Sequence, residues 1–365
     1  MGTTRQDVVR AWARERREGL EVAAALAAFA LVQLWHITVN GMSNDFYAAS
    51  VLSGSQSWEA WFFGSFDPQN FITVDKPAGG LWLMGLSARI FGFSSASMLV
   101  PQALLGVASA WLLYASVRRL ASHASGLLAV AVFALTPIAT VMFRDNNPDA
   151  AMVFGMMVGA YGVTRALGSS RQRAAVGWLA LAGAGIGFAF LTKTFQGLMT
   201  LPALGLAYLL SEKFGLGRRI AHLAAAAAAV LVSSGWWFLA VALTPSDRKP
   251  YVGGSQGNSE LELALGGNGF DRLLGGGKYG AARGPGFAGP PSLWRVFEDS
   301  QGLHVAWLIP TALVALALGF FAVRGEGTRS NPVWLALVLW GGWLVSDYLV
   351  LTYMQAAFHP YYVFV

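Results

Sequence analysis

Short polar segments border the long apolar runs of this 365-residue chain, and their ionisable side chains could take part in chemistry. Carboxylates there could accept a proton from a hydroxyl group, while lysine and arginine could hold an anion such as a phosphate. Five segments qualify: Ser43–Ala49 with Asp45, Thr73–Pro77 with Asp75 and Lys76, Phe143–Asp149 with Arg144, Asp145 and Asp149, Thr192–Thr194 with Lys193, and His359–Tyr362 with Tyr361. Because charges beside apolar runs are costly unless they are paired, hydrated or functional, this recurrence predicts a site.

Structural roles are the alternatives for the same residues. They are a helix cap for Asp45, a local ion pair for Asp75 with Lys76, mutual pairing for Arg144 with Asp145, a favourable helix-dipole position for Asp149, and a structural histidine at His359. Lys193 occupies a very tight turn on the side of the membrane that basic residues avoid, so it is expected to have an anionic partner.

The composition around these segments is that of a membrane protein. Only 12% of the residues are charged and 55% are hydrophobic, whereas a soluble domain has about 25% charged residues. The same figures exclude a disordered chain, a collagen and a coiled coil, and the absence of cysteine excludes a disulfide framework. The net charge of +6 comes from basic residues spread between apolar runs, which indicates topology and not a nucleic-acid partner.

Nine apolar segments predict an all-α polytopic membrane protein, since a membrane helix needs about 20 such residues. A basic segment, 1–19, precedes a transmembrane domain over 20–365. The predicted spans are 20–39, 97–117, 124–143, 149–168, 175–192, 196–211, 220–243, 304–323 and 332–354. A tenth span is expected to begin near residue 357, and because the sequence stops inside that run, the chain is expected to be a piece of a longer protein.

The distribution of basic residues predicts the orientation in the cell membrane. Placing the N-terminus in the cytoplasm puts 15 of the 25 Lys and Arg residues on that side, as the positive-inside rule requires. The candidate site is then extracytoplasmic. Two long outer loops result: 40–95, in which residues 78–93 are predicted to form a helix lying in the membrane interface, and the Gly-rich 245–303, for which a flexible lid and a plain linker both remain open.

The sequence gives no sign of a nucleotide-dependent enzyme. It contains neither a Walker A motif nor a Gly-x-Gly-x-x-Gly motif after a strand, and a nucleotide sugar would not be available outside the cytoplasm. A lipid-linked donor would instead explain Lys76, Arg144 and Lys193 at the outer border. No cofactor is expected, although a divalent cation between Asp45 and Asp75 remains possible.

Taken in order, these segments resemble a known family. The motifs Asp-Phe-Tyr-Ala-Ala from Asp45, Ile72-Thr73-Val74-Asp75-Lys76-Pro77, Phe143-Arg144-Asp145-Asn146-Asn147-Pro148-Asp149 and His359-Pro360-Tyr361-Tyr362 resemble those of bacterial dolichyl-phosphate-mannose-protein mannosyltransferase-like enzymes. These are related to the lipid A aminoarabinose transferases and have the C-type glycosyltransferase fold. The likeness is greatest to the actinobacterial and Firmicutes branch.

The resemblance implies an inverting transfer of a mannose- or pentose-like sugar from a polyprenyl phosphate to an extracytoplasmic protein, glycan or lipid. It implies that Asp45 or Asp75 acts as the general base, with Asp45 preferred, and that the substrates contact a set of residues comprising Lys76, Arg144, Asp149, Lys193, His359 and Tyr361. Relatives carry an Asp-Glu pair where this chain has Asn44-Asp45, which leaves the base open between the two aspartates.

A transporter or flippase of lipid-linked sugars is the alternative function. Such a protein would carry ionisable residues near mid-membrane in broken helices, whereas the predicted spans are nearly free of them, with Asp347 the clearest exception.

Overall fold

The protein is described by a computed structural model covering residues 5–275, 290–298, 306–325, 327–355 and 359–364. Its helices are α1 (Arg5–Leu34), α2 (Asp45–Gln56), α3 (Trp58–Phe63), α4 (Gly79–Phe91), α5 (Ser95–Leu120), α6 (His123–Leu135), α7 (Pro137–Met142), α8 (Asp149–Gly168), α9 (Gln172–Lys193), α10 (Leu201–Leu210), α11 (Leu216–Leu243), α12 (Glu260–Leu265), α13 (Asp271–Leu274), α14 (Ile309–Ala322) and α15 (Pro332–Tyr353). The only β pairing in these ranges is two isolated bridges. The all-α prediction is confirmed.

Helices occupy all nine predicted membrane spans within the described ranges. By length and apolar composition, five could cross a membrane: α5, α8, α11, α15, and α9 together with the turn that follows it to Leu198. Shorter apolar helices cover His123–Leu135, Leu201–Leu210 and Ala306–Ala322, and α1 covers most of the first span. The hydropathy pattern therefore located the membrane-crossing part of the chain.

Two of the predicted spans are broken. The segment 124–143 divides into α6 and α7, because Pro137 has no backbone N–H to continue the helix and disfavours helical geometry at Thr136. The segment 196–211 begins as a 3₁₀ turn over Thr194–Leu198 before α10 starts. The second break directly follows Lys193, and the short helix α7 leads from the first break to the polar segment that begins at Phe143.

The first long loop is mainly helical. It contains α2, α3 and α4, and α4 coincides with the helix predicted over residues 78–93. Asn44 caps α2 by accepting hydrogen bonds from the backbone of Phe46 and Tyr47, so Asp45 is the first residue inside that helix.

The start of the second long loop is folded against the first. The backbone N–H of Thr73 donates to the carbonyl of Tyr251 at 2.9 Å, and the Tyr251 N–H donates to the Phe71 carbonyl at 2.8 Å. The Gly253 N–H also donates to the Thr73 hydroxyl at 3.0 Å. These bonds hold the loop beside Asp75, so this part of the 245–303 loop is a structured component of the candidate site; residues 276–289 and 299–305 lie outside the described ranges.

The core of the bundle forms around α8, which packs closely on α9. A Cβ atom added at Gly155 would lie 2.6 Å from the carbonyl oxygen of Gly185, and one at Gly185 would lie 2.7 Å from that of Gly155. Membrane helices pack through such small residues because they let two backbones approach. This contact fixes the relative position of the two helices whose ends carry Asp149 and Lys193.

Candidate active site

A buried ion pair joins the start of α8 to the end of α9. Lys193 Nζ lies 2.7 Å and 2.8 Å from the two carboxylate oxygens of Asp149, and the side chains are only 4% and 1% exposed. The helix α9 ends at Lys193 because Thr194 has a φ of +52°, outside the helical region. Asp149 is therefore the anionic partner that the sequence predicted for Lys193.

A second ion pair, between Asp75 and Lys76, lies just before α4. Lys76 Nζ is 2.7 Å from Asp75 Oδ2 and 3.1 Å from Asn268 Oδ1, and the Asn268 amide donates to the Asp75 carbonyl at 2.7 Å. The Lys76 side chain is 7% exposed and that of Asp75 is 42% exposed. The pair is thus local, as the structural alternative supposed, but Asn268 also ties it to the second long loop.

The His-Pro-Tyr-Tyr segment packs over these charges. The Lys193 ammonium lies 4.9 Å and 4.4 Å from the ring centres of Tyr361 and Tyr362, within the range of a cation–π interaction. The His359 ring stacks on Tyr361 at 5.4 Å, and Arg272, from α13, donates to the Tyr362 hydroxyl at 2.8 Å. Segments far apart in sequence therefore meet around Lys193.

Five of these residues form the polar end of a cavity of about 220 Å³: Lys76, Lys193, Asn268, Arg272 and Tyr362. Lys76, Lys193 and Arg272 contribute three cations to its lining. The rest of the wall is mainly apolar and comes from the turn after α9, from the start of α10, from α13 and from the end of α15: Phe195, Leu198, Met199, Pro202, Leu273, Val350, Leu351 and Met354. A cationic end joined to an apolar body suits an amphiphile with an anionic head.

The three cations differ in how many N–H groups they can still offer to a ligand. All three donors of Lys76 are used, by the Asp75 carboxylate, the Asp75 carbonyl and Asn268, and Lys193 spends two of its three on Asp149. Arg272 uses one N–H for Tyr362 and one for Gly267, so three of the five that a guanidinium carries have no partner among the described residues. Arg272 is thus the best-equipped donor to an oxyanion.

Burial and pairing also set the protonation of the groups around the cavity. Burial raises the pKa of the Asp75 carboxyl, but the adjacent Lys76 ammonium more than offsets this, so the pKa lies below its usual value. Burial lowers the pKa of Lys76, against the opposing effect of Asp75. Burial, together with the charge of Asp75, raises the pKa of Tyr47 well above its ordinary value. Tyr47 is therefore a neutral hydroxyl close to these charges.

Comparison with known proteins shows which family the chain resembles. The model of the dolichyl-phosphate-mannose-protein mannosyltransferase family matches residues 75–238, which include Asp75, Lys76, Arg144, Asp149 and Lys193. Two proteins of Bacillus subtilis, both provisionally named mannosyltransferases, are similar: YycA is 40% identical over 250 residues and YkcB is 36% identical over 271 residues. The chain is thus similar to this family of mannosyltransferase-like membrane glycosyltransferases.

The shared region is a part of longer relatives. It spans 68% of this chain and 36% of YycA, and 73% of this chain and 37% of YkcB. Both relatives are from a Firmicute, in line with that part of the resemblance, whereas the actinobacterial part stays a prediction.

Solved structures show that the mannosyltransferase-like chain has the C-type glycosyltransferase fold. ArnT from Cupriavidus metallidurans, crystallised with undecaprenyl phosphate, superposes with a TM-score of 0.64 at 19% identity, over 94% of this chain and 57% of ArnT. The oligosaccharyltransferase of Archaeoglobus fulgidus, tethered to an acceptor peptide, gives a TM-score of 0.59 at 15% identity, over 93% of this chain and 47% of that enzyme. The fold predicted from the motifs is confirmed.

Of the eight predicted site residues, only Lys76 and Lys193 line the cavity. Asp75, Asp149 and Tyr361 each contact one of these two lysines, and His359 stacks on Tyr361. Arg144 and Asp45 have other surroundings. The Arg144 guanidinium donates to the carbonyls of Val32, Gln33 and His36 at 2.7, 3.0 and 3.2 Å, so it caps the C-terminal end of α1 and does not pair with Asp145. Asp45 lies exposed in the first turn of α2 and forms no hydrogen bond with any residue that the structure describes.

Several residues of the site were missed by the sequence reasoning. Arg272 and Asn268 lie in the Gly-rich loop, where no local pattern marked them, and Tyr362 could have been taken from the same motif as Tyr361. Asp145, named in the motif but not chosen as a site residue, is half-buried and accepts a hydrogen bond from the Ser43 hydroxyl at 2.9 Å. Burial raises its pKa, which makes it a third carboxyl to consider beside the site.

Proposed function

We propose that this glycosyltransferase moves a mannose- or pentose-like sugar from a polyprenyl phosphate to an extracytoplasmic hydroxyl group, on a protein or on a glycan or lipid of the cell envelope, with inversion at the anomeric carbon. The observation that carries the proposal is the cavity with Arg272, Lys76 and Lys193 at one end and apolar walls over the rest. A polyprenyl phosphate combines the same two properties, and ArnT, with a similar fold, was crystallised with undecaprenyl phosphate.

The three cations have separate tasks in this proposal. Arg272, with three unused N–H groups, binds the phosphate oxygens directly, and Lys193 adds its one remaining N–H. Lys76 contributes positive charge, since its own donors are already engaged. Fixed cations at this position stabilise the negative charge that grows on the phosphate as the bond to the sugar breaks.

The reaction is a single displacement. The acceptor oxygen bonds to the anomeric carbon while the bond from that carbon to the phosphate oxygen breaks, and the leaving polyprenyl phosphate keeps the electron pair. A carboxylate takes the hydroxyl proton. We assign this role to Asp75, which is ionised, partly exposed and 2.7 Å from the Lys76 ammonium of the phosphate site. Asp45, exposed and without a partner, is the alternative.

Donor binding provides the first experiment, because it requires neither the sugar nor the acceptor to be known. Undecaprenyl phosphate is titrated against the purified protein, and binding is followed by tryptophan fluorescence. Replacing Arg272 by Gln should weaken binding at least about tenfold, since it removes charge-assisted hydrogen bonds. Arg144→Gln is the matched control, since the same charge is lost at a guanidinium that serves α1. Equal affinity in the wild type and Arg272→Gln would refute the phosphate site.

Transfer of radiolabelled sugar from undecaprenyl-phosphate mannose in membranes then identifies the base. Asp75→Asn should abolish transfer while leaving binding of undecaprenyl phosphate intact, whereas Asp45→Asn should retain transfer. The opposite pattern would assign the base to Asp45. Full transfer by both variants would reject both aspartates and direct attention to Asp145.

Asp347 was the clearest ionisable residue within a predicted span, and it was therefore the main support for the transporter alternative. This residue lies six positions before the end of α15 at Tyr353, hence about 9 Å along the helix from the end that borders the cavity. Its carboxylate accepts a hydrogen bond from the Trp343 indole at 2.8 Å. Asp347 is thus bonded within its own helix close to the site.

A further inference from the structure

A second polar cavity lies at the opposite ends of the helices that build the candidate site. The helices α8 and α15 carry site residues at one end, and at the other they meet the C-terminus of α5 and the connection between α10 and α11. Their cavity measures about 410 Å³, within the usual range of ligand sites. Since α8 has 20 residues, the two cavities are about 30 Å apart along the bundle, the thickness of the hydrocarbon core.

Three cations surround this second cavity: Arg119 at the end of α5, Lys213 between α10 and α11, and Arg329 before α15. All three are exposed, and none forms a hydrogen bond or ion pair with a residue in the described ranges. Glu212 is the one acidic residue of the lining, so the formal charge at the cavity is +2.

The positive-inside rule alone would place basic residues at this membrane border, so their presence does not by itself indicate a binding site. Two other basic residues near the same border are engaged, however. Arg118 pairs with Glu18 at 2.6 Å, and Arg219 donates to the carbonyls of Leu209 and Ser211 at the end of α10. Arg119, Lys213 and Arg329 are therefore unengaged cations that converge on one cavity, whereas Arg171, Arg173 and Arg218 are exposed at the same border and do not line it.

The floor of the cavity is apolar. Leu120, Leu167 and Leu335, from α5, α8 and α15, contribute to the lining and are 4%, 6% and 6% exposed. A free phosphate would gain nothing from such a surface, whereas a phospholipid brings both an anionic phosphate and apolar chains. Basic pockets between membrane helices are known to recognise anionic lipid head groups in this way.

We propose that this second cavity binds the phosphate of an anionic phospholipid head group, held by Arg119, Lys213 and Arg329. The lipid lies in the leaflet opposite the one that borders the candidate active site. By bridging the ends of α5, α8 and α15 and the α10–α11 connection, it stabilises the framework that positions Asp149 and the end of α15.

Lipid retention by the purified full chain tests this proposal. Native mass spectrometry is used to titrate phosphatidylglycerol and phosphatidylcholine onto the wild type and onto Arg119→Gln/Lys213→Gln/Arg329→Gln. The wild type should retain one phosphatidylglycerol in preference to phosphatidylcholine, and the triple variant should bind phosphatidylglycerol about 100-fold more weakly, because three charges near one phosphate are lost.

A control triple variant separates a built site from general surface attraction. Arg171→Gln/Arg173→Gln/Arg218→Gln removes the same charge from exposed residues at the same border that do not line the cavity, and it should change affinity by less than about threefold. Equal loss in both triple variants, equal retention of the two lipids, or displacement of phosphatidylglycerol by millimolar inorganic phosphate would each overturn the proposal. Unchanged thermal midpoints in the absence of lipid verify that both triple variants are folded.

Discussion

The buried pair of Asp149 and Lys193 should be a main determinant of stability. Asp149→Asn preserves the shape of the side chain but leaves the Lys193 ammonium buried without a counter-charge, and Lys193→Met leaves the carboxylate alone. Both side chains are at most 4% exposed. Removing one member of such a pair costs about 3–5 kcal/mol. At roughly 2 °C per kcal/mol for a large domain, each single variant should unfold about 6–10 °C below the wild type.

Replacing both members should recover part of the loss, because no uncompensated charge then remains. The assay is thermal unfolding in detergent, followed by tryptophan fluorescence at one fixed scan rate, for the wild type, the two single variants and Asp149→Asn/Lys193→Met. The double variant should lie above both single variants, with a coupling energy of about 1–3 kcal/mol. Arg17→Gln, at a surface pair whose side chains are 80% and 36% exposed, is the control and should leave the midpoint unchanged.

Two results would refute this reasoning. Single variants that unfold within about 1 °C of the wild type would mean that the two charges are not buried together. Strictly additive losses in the double variant would mean that Asp149 and Lys193 act on stability independently.

Three further predictions follow from the packing and charge of the described residues. Burial raises the pKa of Glu260 to about 8. Because the folded state then binds this proton more tightly than the unfolded state, the wild-type protein loses stability as the pH rises from the unfolded pKa of the carboxyl to 8, by on the order of 1 kcal/mol per pH unit. Glu260→Gln should therefore match the wild type in stability at pH 5 and be more stable than the wild type at pH 8. Arg144→Gln should lower stability by about 2 kcal/mol, since it uncaps α1, while transfer per folded molecule is retained. Gly185→Ala should destabilise the bundle by about 1–3 kcal/mol, because its Cβ would lie 2.7 Å from a carbonyl of α8, whereas Gly177→Ala, in the same helix with nothing within 4 Å, should be neutral or stabilising.

The measurements are unfolding midpoints for all three predictions, repeated at pH 5 and pH 8 for Glu260→Gln and joined by the transfer assay for Arg144→Gln. Parallel pH profiles of the wild type and Glu260→Gln would show that Glu260 is not held in its protonated form. Loss of transfer in folded Arg144→Gln would return that arginine to the substrate site. Equal midpoints for Gly185→Ala and Gly177→Ala would contradict the close approach of α8 and α9.

Much of the site could be anticipated from its neighbours in sequence. Asp75 and Lys76 are adjacent, so their ion pair requires no knowledge of the fold, and the turn containing Lys193 follows from the polar residues between two apolar runs. Arg144 shows where this reasoning fails. A guanidinium at a membrane border can bind a ligand phosphate or the free carbonyls at a helix end, and only the position of α1 decides between them.

The sequence by itself determined the all-α class and the positions of the long apolar helices, with the polar segments near their ends. It could do so because lipid forces each spanning segment to satisfy its own backbone hydrogen bonds within a long apolar helix, which leaves a local pattern. The tertiary structure alone decided which charges meet: Asp149 with Lys193 across 44 positions, and Lys76 with Asn268 across 192. Any carboxylate can neutralise any ammonium, so the choice of partner is set by helix packing, through contacts such as that of Gly155 with Gly185, and no local pattern encodes it.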